Sequence, residues 1–349
     1  MDLRLLKDRP VEWLRGGPED DVVVSSRIRL ARNVDGYPFV GHASPHQRAR
    51  TEEVLRHAVL ATAGDTALQY VRLDELPPLL LELLVERRLV SREHAEADWV
   101  RGVAFDEAER VSVMVNEEDH LRLQFVQGGL CLEEVYDRAD AFDDLLSARV
   151  PFAFSSQWGY LTACPTNVGT GLRASVMFHL PGLVMGQEMD KVIDLAREER
   201  LTLRGVYGEG THGAGDFYQL SNHASLGPSE EQLVSLVLAA ARRVAEMERT
   251  ARTMLRDDHP QEFRRRIEHA FRLLRSARTI SSQEALSFLS QVRMGVETGL
   301  LPDTPIAALN ELLLLTLPAH LQTMEGRVLD SSVRNELRAS YVRNRLAMG

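Results

Sequence analysis

One thiol, two glycines and one arginine crowd into Cys164-Pro-Thr-Asn-Val-Gly-Thr-Gly-Leu-Arg-Ala-Ser-Val-Met177. Pro165 removes a backbone donor and fixes its own φ. Asn167, Gly169 and Gly171 suit a tight loop whose free amides turn toward one point and hold an anion. Thr166 and Thr170 add hydroxyl donors beside Cys164. The alternative is a Gly/Asn turn after a strand, with a buried cysteine at its start.

Three other stretches carry charges at chemically useful spacing. From Asp21 to Asn33 a β-branched run leads into Arg27 and Arg29, which alternate with Ile28 and Leu30. In an extended backbone residues two apart share a face, so these guanidiniums repel unless an anion such as phosphate lies between them. An edge strand with a solvated polar face reads equally from this pattern. Between Arg110 and Val126 two alternating runs flank Asn116-Glu-Glu-Asp-His120, which predicts a hairpin. Carboxylates in a row are costly unless solvated or paired, so this break is either an exposed acidic turn or a place for a cationic substrate. Arg122 is the acids' alternative, structural partner. Leu201 to Leu220 reads as strand, turn, strand, with five glycines between Gly205 and Gly215, Arg204 at the mouth and Glu209 inside. Such a turn allows close backbone approach to a ligand, although it matches neither the Walker A nor the dinucleotide pattern.

The elements that must position these groups follow from periodicity. Helices are expected over 44–60, 76–89, 130–146 and 184–198, strands at 152–161 and 172–180, and a loop from Trp99 to Glu109. Cys131, at the start of the third helix, reads as a small core residue. From Ser229 the texture turns helical: 233–255, with Arg242, Arg243, Glu246 and Glu248 on the polar side, then 261–274, 281–295, 305–317 and 332–346. Arg256 to Pro260 is the expected boundary, dividing the chain into 1–256 and a helical domain 257–349.

Composition bounds the function. The 349 residues are 44% hydrophobic and 26% charged, with no apolar run near the roughly 20 residues a membrane span needs. Two cysteines make no disulfide framework, and the charged N-terminus lacks the apolar core of a signal peptide, so a cytoplasmic protein is expected. A net charge of -10 argues against a nucleic-acid partner. The 41 basic residues include only two lysines, Lys7 and Lys191, leaving 39 arginines, so function is sought in arginines at particular places.

Taken in order, Ser25-Ser-Arg-Ile-Arg-Leu-Ala-Arg-Asn33, Asn116-Glu-Glu-Asp-His-Leu-Arg122, Cys164 to Arg173 and Arg204-Gly-Val-Tyr-Gly-Glu209 resemble the ATP:guanidino phosphotransferases. The resemblance runs over nearly the whole chain and is greatest to the branch that phosphorylates arginine in proteins. It implies an α+β fold, an antiparallel sheet flanked by helices and followed by a small all-helical C-terminal domain. It implies ATP with Mg2+, and phosphate contacts from Arg27, Arg29, Arg122, Arg173 and Arg204. The nucleotide set then comprises Ser25, Ser26, Arg27, Ile28 and Arg29; Arg88; Arg122; Arg173, Ala174, Ser175, Val176 and Met177; and Arg204, Gly205, Val206, Tyr207, Gly208 and Glu209. Glu118 would orient and deprotonate the acceptor guanidinium, Glu209 would clamp it, and Cys164 would fix it by charge.

Only 24 residues precede Ser25, where small-molecule members carry a helical domain that closes over the substrate, so an acceptor side open to proteins is expected. Arg334-Asn-Glu-Leu-Arg-Ala339 resembles that branch's Arg-Asp-x-x-Arg-Ala motif, a phosphoarginine pocket of Arg334, Asn335, Arg338 and Ala339. Asn335 stands in the aspartate's place and lacks its charge. Arg88 stands where the branch has a nucleotide-contacting histidine. The implied partners are proteins with exposed arginines, a zinc-binding activator, a transcriptional repressor, an unfoldase-protease and a second copy in a homodimer, without nucleic acid or membrane. The resemblance thus implies protein-arginine phosphorylation that marks proteins for degradation. A free-arginine kinase and a non-catalytic phosphoarginine-binding adaptor are the other readings.

Overall fold

The computed structural model describes residues 3–64, 67–206 and 213–347. Among them ten strands run β1 Val23–Arg32, β2 Gln69–Arg72, β3 Gly102–Phe105, β4 Val111–Val115, β5 Leu121–Gly128, β6 Phe154–Ser155, β7 Gly159–Tyr160, β8 Leu172–His179, β9 Leu201–Gly205 and β10 Phe217–Asn222. The helices are α1 Pro45–Thr62, α2 Pro78–Glu86, α3 Arg92–Glu96, α4 Leu132–Ser147, α5 Pro181–Met185, α6 Met189–Glu198 and α7 Glu230–Asp258. They continue as α8 Pro260–Ser276, α9 Ser282–Glu297, α10 Ile306–Leu315, α11 Pro318–Glu325 and α12 Ser331–Ala347. Eight strands form one antiparallel sheet in the order β2-β3-β4-β5-β1-β8-β10-β9, and β6 and β7 form a small separate hairpin.

The register sorts the side chains into two faces. Arg27 lies opposite Ser175 and Arg29 opposite Arg173 on β8, while Ala31 lies opposite Arg122 on β5. The intervening Ile28, Leu30, Leu123, Phe125, Ala174, Val176 and Leu220 are buried on the other face against α1, α4, α6 and α7. Each of these side chains other than Ala174 contributes roughly 1.5–3 kcal/mol by leaving water, which is what allows the opposite face to keep like charges side by side. Ser44, Ser229 and Ser281 start α1, α7 and α9 with reciprocal capping boxes to Gln47, Gln232 and Glu284. The C-terminal helices cover one end of the charged face, where Val126, Met177 and Phe217 join Leu274, Leu286 and Leu289 in a second core.

The fold departs from the sequence expectations at short or fully buried elements. Trp99 to Glu109 contains β3, whose four residues are all buried and so carry no alternation; β2 beside it was not expected either. The β1 strand lies between β5 and β8 rather than at an edge. The 184–198 helix is two helices, broken at Gly186 and at Gln187 with φ 58°. Pro318 starts α11, which runs almost directly on from α10 and leaves no separate period. Glu248 was expected on the polar side of α7 but is buried, taking the amides of Gly182 and Leu183 at 2.8 and 2.9 Å and Arg252 Nε at 2.6 Å. It satisfies donors that α5 leaves open at its N-terminus, a tertiary duty that helical spacing does not reveal.

Candidate active site

The polar face of the sheet gathers Arg27, Arg29, Arg122 and Arg173, all half-buried, with Arg204 exposed at the margin on β9. Neutral groups brace Arg27: Gln219 Oε1 accepts from Nη2 at 2.7 Å, Ser175 Oγ from Nε at 3.3 Å and Gln124 Oε1 from Nη1 at 3.5 Å. Arg29 Nε is buried and has no partner. Of the five, Arg122 alone pairs with a carboxylate among the described residues, Glu117 at 2.6 Å. Burial, then the charges of Arg88, Arg122 and Arg173, lower the pKa of Arg27; burial, then Arg27, Arg122 and Arg173, do the same to Arg29. Burial followed by Arg204 and Arg122 lowers Arg173, while Cys164 and Glu118 act on it in the opposite sense. Thiol, acid turn and arginines therefore share one electrostatic site.

Several buried arginines elsewhere behave differently. Arg32 pairs with Asp143 at 2.8 Å, Arg252 with Glu248, and Arg87 with Glu109, all deeply buried. A buried guanidinium normally requires such a partner, because an unpaired buried charge costs several kcal/mol. Among the described residues Arg27, Arg29 and Arg173 are held in place without such a partner, so they retain the capacity to take up a polyanion.

The three carboxylates of the hairpin turn have separate duties. Glu117 accepts from Arg122 and from Ser91 Oγ at 2.7 Å; burial would raise its carboxyl, but Arg122 and these donors bring it below the usual value. Asp119 Oδ1 accepts from Asn33 Nδ2 at 2.6 Å and from the Ala163 amide at 2.7 Å, and Asn33 also donates to Leu161 O. This staples the acid turn to the segment leading into Cys164. Glu118 is the exposed member, and burial of its carboxyl followed by Asp119 raises its pKa. An exposed carboxylate made more basic is suited to accept a proton.

Cys164 is half-buried, with Sγ 3.0 Å from Thr166 Oγ1. The expected ring of free loop amides is largely taken up. The amides of Asn167, Val168, Gly169 and Thr170 bond to Cys164 O, Pro165 O, Tyr160 O and Ser225 O. The loop spends these donors on its own shape, and the guanidiniums are the main groups left for an anion.

An open cleft of about 1430 Å³ adjoins the arginines, bordered by Arg88, Arg204, Gly205, Val206 and Gln219 and, across from them, by Leu286 and Pro318 of the C-terminal helices. Ser25, Arg27 and Ser175 line a separate small cavity that shares Arg88 and Gln219 with the cleft. Ser26, Ile28, Ala174 and Val176, expected around the nucleotide, turn their side chains to buried positions; Ser26 Oγ bonds Gly129 O and the Cys131 amide. Met177 packs in the C-terminal core. Tyr207, Gly208 and Glu209 lie outside the described residues.

Arg88 has φ 62°, lies 4.8 Å from the Trp13 ring centroid and accepts Gln124 Nε2 on its carbonyl at 2.7 Å. Sequence reasoning gave no sign of Trp13, Gln124 or Gln219 as supports, because nothing local marks a residue that braces one distant in sequence. Of the C-terminal motif, Arg334 borders the cleft. Arg338 is buried and donates to Thr316 O, Ile280 O and Asn335 Oδ1 at 2.7, 2.8 and 2.6 Å, and Ala339 is fully buried.

With this geometry in hand, the chain matches the family model of the ATP:guanido phosphotransferase C-terminal catalytic domain over residues 50–251 and that of the protein-arginine kinase McsB C-terminal domain over residues 260–349. It is 44% identical over 339 residues to a protein-arginine kinase of Halothermothrix orenii, covering 96% of each chain. It is 42% identical over 346 residues to one from Moorella thermoacetica, covering 97% of this chain and 98% of the other. A crystal structure of lombricine kinase superposes with a TM-score of 0.58 at 27% identity over 70% of each chain. The duplicated taurocyamine kinase from Schistosoma mansoni, with bound transition state analog components, gives 0.60 at 26% identity over 82% of this chain and 41% of that one. The chain belongs to the ATP:guanido phosphotransferase family. Its relatives over nearly its full length carry the name protein-arginine kinase.

Proposed function

We infer that the protein is an ATP-dependent protein-arginine kinase. The observation that carries this is the half-buried Arg27, Arg29 and Arg173, left without carboxylate partners among the described residues, near an exposed, proton-seeking Glu118 and Cys164. Mg-ATP enters as substrate, its phosphates spread over Arg27, Arg29, Arg122, Arg173 and Arg204, whose planar forks match phosphate oxygens bidentately. A guanidinium is a poor nucleophile because its pKa exceeds 12, so one nitrogen must lose its proton as it approaches phosphorus. Glu118 takes that proton, the nitrogen bonds to the γ-phosphorus, and the bond to the bridging oxygen breaks to release ADP. Alignment of nitrogen and phosphorus, together with fixed positive charge around the transferring group, supplies most of the acceleration. Glu209 is proposed as second clamp and Cys164 as the group that fixes the acceptor by charge.

The test is incubation with Mg-ATP and an unfolded arginine-rich protein, which should yield acid-labile phosphate on the protein. A product on free arginine alone would move the assignment to a small-molecule kinase. An intact biological output from Glu118→Gln would favour a non-catalytic adaptor. The proposal extends to a cytoplasmic enzyme acting as a homodimer, with a zinc-binding activator, a repressor among its substrates and an unfoldase-protease that removes marked proteins. Copurification with each, with and without Mg-ATP, checks these partners.

A further inference from the structure

The β6–β7 hairpin keeps large apolar side chains in water beside the Cys164 loop. Phe154 is 62% and Trp158 49% exposed, and Leu226, on the loop's other flank, is 48% exposed. The hairpin is nevertheless rigidly placed. Tyr160 N donates to Gly169 O at 2.7 Å, and a Cβ added at Gly159 would meet that same oxygen at 2.4 Å, so hairpin and catalytic loop touch backbone to backbone. Gly169 in turn abuts Ser225 and Leu226, where an added Cβ would fall 2.7 Å from Leu226 Cα. Tyr160 lies over the buried Arg32 guanidinium, 3.6 Å from it to the ring centroid, and meets Phe154 edge-on at 5.3 Å. Arg32 also donates to Thr170 O at 2.8 Å, which ties hairpin and loop to one anchor.

Exposed aromatics on a fixed scaffold are the anchors that protein interfaces use, since little conformational freedom remains to be lost on contact. The charge around them selects the partner. Arg32, the first charge acting on Tyr160, is itself paired with Asp143 at 2.8 Å; Glu230 and Asp144 add further negative charge there, and Asp140 lies among Asp144, Glu231 and Asp137. A basic chain suits this surround, and an acidic one does not.

We propose that Phe154, Trp158 and Leu226 form the docking rim for the polypeptide that carries the target arginine, gripping apolar residues beside it in an extended, basic segment. The proposal rests on the protein-arginine reading and names how the same site recognises its acceptor as a chain. The rim adjoins the loop that begins at Cys164, and the bond of the Ala163 amide to Asp119 ties that loop's entry to the acid turn, so a segment bound there would present its arginine on the side of Glu118.

The test compares F154S, W158S and the double variant with wild type on two acceptors: an unfolded arginine-bearing protein, and a short glycine-flanked arginine peptide without apolar residues. On the protein, KM should rise roughly tenfold in each single variant, with kcat and the KM for Mg-ATP unchanged. On the short peptide no constant should change. Direct binding of an apolar, basic, nonphosphorylatable lysine peptide, followed by tryptophan fluorescence, should quench wild type and lose that quenching in W158S. W158F should retain the protein KM, and circular dichroism should match in all variants. Equal protein KM values in wild type and the double variant would overturn the docking rim. So would a rim-dependent dimer that dissociates in the double variant while the protein KM stays the same. Wild type that binds the lysine peptide through the rim yet transfers no phosphate to any protein would sink the kinase reading and leave the rim standing.

Discussion

The proposed phosphate wall and the proposed acceptor rim are built on opposite principles. Arg27, Arg29, Arg122 and Arg173 stand on interior strands of an eight-stranded sheet, fixed by register and by an apolar face beneath them. Cys164, Glu118 and the aromatic hairpin stand on turns tied together by a few hydrogen bonds, chiefly those of Asn33, Asp119 and Tyr160. A polyphosphate has one shape and a fixed high charge, so the enzyme can hold its receptor rigid and bear the cost of like charges in advance. An arginine arrives on chains of many sequences, so the side that meets it is set on loops, which tolerate variation around a fixed scaffold. The same division separates two kinds of arginine: among the described residues Arg27, Arg29 and Arg173 on the wall have no carboxylate partner, whereas several that hold the fold, such as Arg32 and Arg252, do.

Substitutions that exchange these roles test the contrast. Arg173→Ala should cost the most, roughly 10³–10⁵ in kcat on a protein acceptor, because charge on the transferring phosphate loses a positioned guanidinium. Its unfolding free energy should hold or rise, since repulsion with Arg29 is relieved; a rate loss accompanied by global destabilisation would place Arg173 among the structural arginines. Glu118→Gln should lower kcat about 10²–10⁴-fold with little change in the KM for ATP, measured as acid-labile phosphate.

In wild type the acid limb of the rate should stand above that of an ordinary glutamate, because burial and Asp119 raise the carboxyl. The stability term has the opposite sign. The folded chain binds this proton more tightly than the unfolded chain, so stability from Glu118 rises as pH falls through its folded pKa while activity falls. A Glu118→Gln protein with the wild-type acid limb would assign that limb to another group. Glu248→Ala, remote from the cleft, should do the reverse of Arg173→Ala: it should lose about 3–5 kcal/mol of stability in urea unfolding and leave the KM for ATP alone. The smallest effect is from ligand. Inorganic pyrophosphate at about a hundred times its Kd should stabilise the protein by roughly 2.7 kcal/mol, with the gain shrinking as salt rises. No gain in Arg27→Ala would tie the effect to the wall.

Much of the wall was legible because strand periodicity is short-range. Alternation in β1 places Arg27 and Arg29 on one face whatever the rest of the chain does, and the motif at Cys164 places Arg173 at the start of the next strand. The sequence also marked the acidic turn, yet it could not distribute duties among Glu117, Glu118 and Asp119. That depended on Ser91, Asn33, Arg122 and Ala163, brought in from elsewhere in the chain. Likewise, the loop amides after Cys164 read as anion donors until Tyr160 and Ser225 were seen to take two of them.

Residue type and period by themselves determined which groups carry charge, where the longer strands and helices form, and most of the apolar side of each, because these depend on neighbours within a few residues. Tertiary structure alone decided which arginines are neutralised, which of three adjacent acids stays exposed, and that Trp13, Gln124 and Gln219 support the wall. Those outcomes depend on partners distant in sequence and on burial, which sets the cost of every unpaired charge.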